Sequence, residues 1–134
     1  MNIIENAVYF MLDKLKIKMG FHEMKNTALQ YFTAVPKQHN CAQAVAAGAG
    51  REDLVCSLGS CGGGRAPEGF CGALYAALLL APETEHEKIR TSFQTAAGAL
   101  TCREIKSAAQ VSCAECVRIA AQLTEPFLSG EKEA

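Results

Sequence analysis

Three of the seven cysteines follow a predicted helix N-cap residue and precede Gln or Glu at the third helical position. The segments are Asn40-Cys41-Ala42-Gln43, Thr101-Cys102-Arg103-Glu104 and Ser112-Cys113-Ala114-Glu115. This pattern is typical of a capping box, so each cysteine is expected in the first turn of a helix. Unpaired backbone N–H groups and the helix macrodipole favour negative charge there. Such a position lowers the pKa of a thiol and raises its reactivity.

A fourth cysteine, Cys71, follows Pro67, and proline is frequent as the first residue of a helix. The sequence therefore predicts that Cys71 also lies near a helix start. Repetition of this placement indicates redox chemistry or metal ligation. The candidate catalytic residues are Cys41, Cys71, Cys102 and Cys113. The alternative is inert packing, because cysteine is among the most buried residue types.

Cys113 and Cys116 form a C-x-x-C motif at a predicted helix start. In such a motif the first thiol is activated and the second can resolve a mixed disulfide. A thioredoxin places the motif after a strand in a βαβ unit, and no such strand pattern is present, so thioredoxin-fold chemistry is not supported. The equally weighted alternative is that the two residues are neighbouring core positions on one helix face.

Metal ligation by these cysteines is a second hypothesis. A structural zinc site normally has two paired-ligand motifs, and here one C-x-x-C has no partner. Cys56 and Cys61 begin the plant-type ferredoxin spacing, but Gly64 stands where the next ligand is needed. Dispersed cysteines can still converge. The alternative metal ligands, for an iron–sulfur cluster or another thiolate-bound metal, are therefore Cys41, Cys71, Cys102 and Cys113.

The chain has one cluster of glycines, Gly62, Gly63 and Gly64, followed by Arg65. Backbone N–H groups in such a loop can form a nest that binds an anion, but a tight turn is the favoured explanation of the cluster. Gly72 follows Cys71 inside a predicted helix, which indicates close approach of another backbone or a ligand. We take Gly62, Gly63, Gly64 and Gly72 as the candidate cofactor-binding residues.

Composition limits the classes of partner. The protein has 134 residues, a formal net charge of -1 and a pI near 6.3, which argues against nucleic acid and anionic membrane surfaces. A redox partner or a small molecule is expected instead, and the oligomeric state stays open. The N-terminal residues lack a signal-peptide layout, and the most apolar run, Ala73 to Ala81, is too short to span a bilayer, so we expect a cytoplasmic protein without membrane insertion.

Helical spacing of apolar residues dominates the chain, and strand-like alternation is nowhere sustained. We therefore predict an all-α protein, a compact bundle of about six to seven helices in a single domain over residues 1–134. Helices are expected to begin near Asn2, Cys41, Pro67, Glu83, Thr101 and Ser112. Pro126 and Gly130 are predicted to end the ordered part, and residues 131–134 to form a flexible tail.

The order of these motifs resembles the redox-active family named for its C-GCAxxG-C-C cysteine pattern. The resemblance covers residues 40–123 and is carried by Asn40-Cys41-Ala42-Gln43, Gly62-Gly63-Gly64, Cys71-Gly72-Ala73-Leu74, Cys102, and Cys113 with Val117. It places the four characteristic cysteines on Cys41, Cys71, Cys102 and Cys113. The second motif of the family has glycine where this chain has Ala76. The resemblance implies a small helical protein with a redox role, sometimes associated with transport, and supplies no established reaction.

Three hypotheses follow from the sequence. In the first, the four cysteines gather at one end of the bundle, helix-start dipoles hold at least one as thiolate, and the protein carries out electron or thiol–disulfide exchange. In the second, the same cysteines hold an iron–sulfur cluster or another metal. In the third, the protein is a non-catalytic helical accessory or binding module with structural cysteines. Whether it is an enzyme, and which electron donor or substrate it uses, stay open.

Overall fold

Helices form the regular structure of residues 25–133, the part of the chain that the computed structural model describes, with side chains described to residue 128. The helices are α1 (residues 25–33), α2 (Cys41–Gly48), α3 (Glu52–Ser57), α4 (Gly72–Leu80), α5 (His86–Ala97), α6 (Cys102–Glu104) and α7 (Cys113–Glu133). The predicted all-α single-domain bundle is confirmed. The predicted helix near Asn2 lies outside the described residues.

Helix α4 lies at the centre of the bundle and packs against α2, α5 and α7. Its sequence is apolar nearly all round, which predicts a helix covered on most sides. Only Tyr75 and Leu79 of this helix are not fully buried. None of the helices in the described range has the length and apolar character needed to cross a membrane.

Small residues let α1 and α2 approach closely. A Cβ added at Gly48 would lie 2.8 Å from the Cβ of Ala28, so glycine is required at this crossing. Ala42, Ala44 and Ala46 are fully buried on α2 and leave room for its neighbours. The first turn of α2, which carries Cys41, is thereby fixed against the rest of the bundle.

The start of α4 differs from the prediction. Pro67 opens a short 3-10 turn, Pro67–Gly69, and the apolar helix begins only at Gly72. Glu68 and Gly69 have positive φ angles of 60° and 73°, and this left-handed backbone interrupts a right-handed helix. Cys71 is consequently the N-cap residue of α4.

The C-terminal helix also differs from the prediction, because α7 continues past Pro126 to Glu133. Proline has no N–H to donate to the carbonyl of Gln122, which normally disfavours a helix interior. The buried face formed by Val117, Ala121 and Thr124 packs the preceding turns against the core, and this packing outweighs the local signal. Flexibility of residues 131–134 stays a prediction.

Candidate functional site

Cys41 is positioned by a complete capping box at the start of α2. The backbone N–H of Gln43 donates to Asn40 Oδ1 at 2.8 Å, and the backbone N–H of Asn40 donates to Gln43 Oε1 at 2.9 Å. The same side chains also tie α2 to the following segment: Asn40 Nδ2 donates to the Leu58 carbonyl at 3.0 Å, and Gln43 Nε2 to the Val55 carbonyl at 2.9 Å. The cap therefore fixes Cys41 in the tertiary structure as well as in its own helix.

Cys71 is held next to the segment that carries Cys102. Its backbone N–H donates to the Leu100 carbonyl at 2.8 Å, and Phe70 forms an isolated antiparallel bridge with Thr101. Thr101 in turn caps α6, because its Oγ1 accepts from the Glu104 N–H at 3.2 Å. Two cysteines separated by 31 residues in sequence are brought together by this backbone pairing.

Cys113 begins α7 after Ser112, whose Oγ accepts from the Glu115 N–H at 3.1 Å. All three predicted N-cap side chains are thus confirmed. The second hydrogen bond of a capping box, from the backbone N–H of the cap residue to the side chain three residues later, forms at Asn40 but not at Thr101 or Ser112. Glu104 accepts from the hydroxyl of its own cap residue, Thr101, at 3.0 Å, and the Glu115 carboxylate accepts from the guanidinium of Arg118.

The four cysteines predicted from sequence line one cleft, together with Cys116. The cleft contains about 260 Å³ of empty space, counting the part open to solvent. Ile105, Lys106 and Val111 complete its lining. Sulfur atoms from α2, the N-cap of α4, α6 and α7 therefore share a single concave surface.

The remaining two cysteines do not line this cleft. Cys56 is exposed on α3, and Cys61 is buried after the 3-10 turn Leu58–Ser60. Cys116 lies outside the predicted catalytic set, although its C-x-x-C spacing from Cys113 is a signal that points to it. Cys113 and Cys116 are three positions apart in one helix, so both reach the same face.

The thiols of Cys41 and Cys71 favour the protonated form. Hydrogen bonding with Cys71, followed by burial, raises the pKa of Cys41. Hydrogen bonding with Cys116 is the main cause that raises the pKa of Cys71 to about 12, burial adds to it, and the hydrogen bond with Cys41 acts in the opposite direction. The expectation that a helix start lowers the pKa of these two thiols is wrong, because sulfur–sulfur contacts and burial outweigh the helix-start effect.

Cys116 is the thiol of this group whose pKa is lowered. The hydrogen bond from Cys71 lowers the pKa of Cys116 despite its burial and the nearby cysteines. The directions of these pKa shifts correspond to a Cys41 thiol that donates toward Cys71 and a Cys71 thiol that donates toward the sulfur of Cys116. A thiol with a lowered pKa beside a second thiol can act as a nucleophile once deprotonated and then form a disulfide.

Gly72 lies where two parts of the site meet. A Cβ at this position would be 2.8 Å from Cys41 Sγ and 2.9 Å from the Cys61 carbonyl oxygen. The predicted close approach at Gly72 is therefore present, and the neighbours are a thiol and a backbone carbonyl. Only glycine admits both at these distances.

The glycine loop borders the site on another side. Gly63 and Gly64 have positive φ angles of 61° and 84°, and a Cβ at Gly64 would lie 3.6 Å from the Cβ of Cys102. Gly62 packs against Asn40, with 3.2 Å between an added Cβ and the Asn40 Cβ. Arg65 Nε donates to the Ser60 carbonyl at 3.3 Å. The loop supports Cys102 and the α2 cap, and anion binding by it stays a prediction.

The residues do not fit a metal site as they are arranged here. Within the described side chains, no three or more His, Cys, Asp or Glu residues are grouped as ligands for a metal ion. This arrangement gives no support to the predicted ligand set of Cys41, Cys71, Cys102 and Cys113.

Comparison with known proteins gives no match to any family model, curated protein or solved structure. The resemblance to the C-GCAxxG-C-C family therefore stays a prediction from the motifs.

Proposed function

We propose that this protein is a redox-active dithiol protein that uses its clustered cysteines for thiol–disulfide exchange. The observation that carries the proposal is that five of the seven cysteines, drawn from four separate segments, line one cleft. Inert packing would place cysteines throughout the core according to volume alone. Convergence on an accessible concave surface favours chemistry.

Two sulfur atoms of the cleft take part in one exchange cycle. A thiolate attacks one sulfur of a partner disulfide, the partner's sulfur–sulfur bond breaks, and its other sulfur leaves as a thiolate. A second cleft thiol, once deprotonated, then attacks the protein sulfur of this mixed disulfide and releases the partner as a dithiol. The protein loses two electrons and two protons, and the partner gains both.

Cys116 and Cys71 are the best-placed pair for this cycle. The interaction between their thiols is the first cause of the raised pKa of Cys71 and of the lowered pKa of Cys116. Cys41 supports the pair by donating to Cys71. Cys102 and Cys113 are half-buried at the same cleft, where a partner molecule can reach them. We place this activity in a reducing compartment such as the cytoplasm, where free cysteines persist.

Anaerobic purification followed by metal analysis and a visible absorption spectrum separates dithiol chemistry from metal binding. A colourless protein without stoichiometric metal is the expected result. Brown protein with stoichiometric iron would instead support the iron–sulfur alternative and contradict the exchange proposal.

Equilibration in buffers of graded dithiol and disulfide ratio then tests the redox function. Acid quenching and thiol counting should show a reversible loss of two thiols with a defined midpoint. Cys56→Ser is the matched control, since this cysteine is exposed and lies outside the cleft, and its titration should match that of the unmodified protein. If all thiols stay reduced in the most oxidising buffer and react only after unfolding, the cysteines are structural and the proposal is wrong.

A further inference from the structure

Access separates the thiols of the cleft into two groups. Cys71 and Cys116 are 5% and 2% exposed, whereas Cys41, Cys102 and Cys113 are half-buried. The enclosed part of the cleft has room for about one water molecule, so a disulfide with its carbon groups cannot enter it. The reactant therefore stays at the mouth and meets one of the half-buried thiols first.

A single charged side chain lies at this mouth. Of the described residues that line the cleft, Lys106 alone carries a charge, and the others are cysteines and the aliphatic Ile105 and Val111. Lys106 is exposed, and no described side chain forms an ion pair or hydrogen bond with its ammonium group. An unpaired positive charge beside thiols favours a reactant that brings a negative charge.

Charged residues near Lys106 in the chain leave this positive charge uncompensated. Arg103 is exposed in the same segment and has no ion pair either. The Glu104 carboxylate accepts from the hydroxyl of its own cap residue at 3.0 Å, and the Glu115 carboxylate is paired with Arg118. Both nearby carboxylates therefore have partners of their own.

Cys102 is the half-buried thiol that lies beside Lys106. The Ile105 N–H donates to the Thr101 carbonyl at 2.9 Å, and Glu104 and Ile105 have right-handed helical φ and ψ angles, so the backbone between Cys102 and Lys106 is helical. Residues four apart in a helix are neighbours, with Cβ atoms about 5–6 Å apart. Both side chains also line the cleft, so thiol and ammonium group share one face.

The other half-buried thiols lack such a neighbour. In α2 and α7, the positions three and four residues beyond Cys41 and Cys113 are occupied by apolar residues or cysteine. Lys106 itself is fixed at the rim, because the preceding Ile105 is 2% exposed and anchors the π-helical turn Ile105–Ala109 in the core. Turns of this kind are frequent at functional sites.

We propose that Lys106 and Cys102 form the docking point of the cleft for the disulfide of a small thiol that carries a carboxylate. Lys106 binds the carboxylate, and Cys102 makes the first covalent bond to the reactant. This inference rests on the proposed exchange function and names its substrate class. A small molecule is favoured over an acidic protein surface, because at physiological ionic strength one exposed charge acts over only about 8 Å. The negative charge must therefore lie close to the reacting sulfur.

The exchange then proceeds in two balanced steps. The Cys102 thiolate attacks the nearer sulfur of the docked disulfide, the sulfur–sulfur bond breaks, and the other half leaves as a thiolate that takes up a proton. A second cleft thiol, once deprotonated, attacks the sulfur of Cys102 and releases the first half of the reactant as a thiol. The cleft loses two electrons and two protons, and the two thiol products hold both.

Three small disulfides that differ in charge test the role of Lys106. Dithiodipropionate, hydroxyethyl disulfide and cystamine have the same two-carbon spacer and end in a carboxylate, a hydroxyl or an ammonium group. Thiol loss is followed over time at low ionic strength. Opposite unit charges about 4 Å apart in water change affinity by about five-fold. The ratio of the anionic to the neutral rate should therefore be about five-fold higher in the unmodified protein than in Lys106→Gln, and added salt should reduce this difference.

Further variants separate charge from packing. Lys106→Arg should keep the preference for the anionic disulfide, and Lys106→Glu should reverse it in favour of cystamine. Because Lys106 is exposed, these substitutions leave the core intact. Lys88→Gln is the matched control, since Lys88 is an exposed lysine on α5 that does not line the cleft, and its rate ratio should equal that of the unmodified protein.

Peptide mass mapping after a short reaction with dithiodipropionate identifies the first thiol to react. The first mixed disulfide is expected on Cys102. A first adduct on Cys41 or Cys113 would overturn the assignment of Cys102 as the docking thiol.

The remaining outcomes separate this inference from the function beneath it. Equal rate ratios in the unmodified protein and Lys106→Gln overturn the role of Lys106, even if hydroxyethyl disulfide oxidises two cleft thiols reversibly. If none of the three disulfides oxidises a cleft thiol of the folded protein, the proposed function is wrong as well.

Discussion

Substitution of Gly72 by alanine tests the packing that holds the site together. The added Cβ would lie 2.8 Å from Cys41 Sγ and 2.9 Å from the Cys61 carbonyl oxygen. Both distances are shorter than carbon contacts with these atoms allow, and the carbonyl belongs to the backbone, which moves less easily than a side chain. Relief of the clash requires the first turn of α4 to move away from the backbone at Cys61, together with a shift of the Cys41 side chain.

Two opposing effects determine the size of the change. Overpacking of a close-packed region costs about 1–3 kcal/mol. Replacement of glycine by alanine in a helix interior gains up to about 1 kcal/mol, and less at the first helical position that Gly72 occupies. The cost of the clash is larger than the gain, so we expect the free energy of unfolding to fall by about 1–2 kcal/mol. For a chain of this size the melting temperature should fall by roughly 5 °C.

Urea unfolding followed by circular dichroism measures this loss. Gly59→Ala is a matched control, because its added Cβ meets only the Gln43 amide nitrogen at 3.4 Å, an ordinary contact, and the unfolding free energy should stay within about 0.5 kcal/mol. A Gly72→Ala protein as stable as the original, or more stable, would refute the close contact between α2 and α4 at this point.

Three further predictions concern the caps and the thiols. Asn40→Ala should lower the unfolding free energy by about 1–2 kcal/mol, since it removes a helix cap and the hydrogen bond to the Leu58 carbonyl. Asn40→Asp keeps the acceptor of the cap and should lose less stability. Equal losses for the two variants in thermal unfolding would contradict the role of the cap. The pKa of Cys71 is raised to about 12, so its contribution to stability is complete below the pKa of an unfolded thiol and is lost as the pH rises toward 12. Cys71→Ser should therefore reduce the alkaline decline of the unfolding free energy by about 1.4 kcal/mol per pH unit. An unchanged slope in the variant would contradict this prediction. Because the pKa of Cys116 is lowered, its alkylation by a small reagent should reach half its maximal rate at a lower pH in folded than in urea-unfolded protein. A half-maximal rate at a higher pH in the folded protein would contradict the lowered pKa.

Local signals in the sequence predicted the helix caps well. Asn40, Thr101 and Ser112 each accept from the backbone N–H three residues later, as the spacing indicated. A cap depends on the geometry of four consecutive residues, so local sequence carries the information. The apolar character of α4 likewise predicted its central place.

Convergence of the cysteines depends on contacts that local patterns do not contain. The pairing of Cys71 with the Leu100 carbonyl joins segments that are distant in sequence. The lowered pKa of Cys116 depends on its neighbour Cys71, which comes from another part of the chain. The helix-start argument considered each cysteine with its own helix and therefore assigned a lowered pKa to Cys41 and Cys71, where burial and neighbouring thiols raise it.

Two errors in helix bounds have the same origin. Pro67 is compatible with a helix start, but the left-handed residues Glu68 and Gly69 end that turn and delay α4 to Gly72. Pro126 is a local signal for a helix end, yet packing of the preceding turns carries α7 past it. In both places residues outside the proline signal determined where the helix begins or ends.

A disulfide map of mildly oxidised native protein tests the central claim most directly. Reduced protein is treated with a stoichiometric small oxidant, alkylated in denaturant and digested without reductant. The expected product is an intramolecular disulfide that joins the peptide of Cys71 to that of Cys116, or, after exchange, Cys113 to Cys116. Oxidation confined to intermolecular dimers through Cys56, with the cleft thiols still reduced, would contradict a shared redox site.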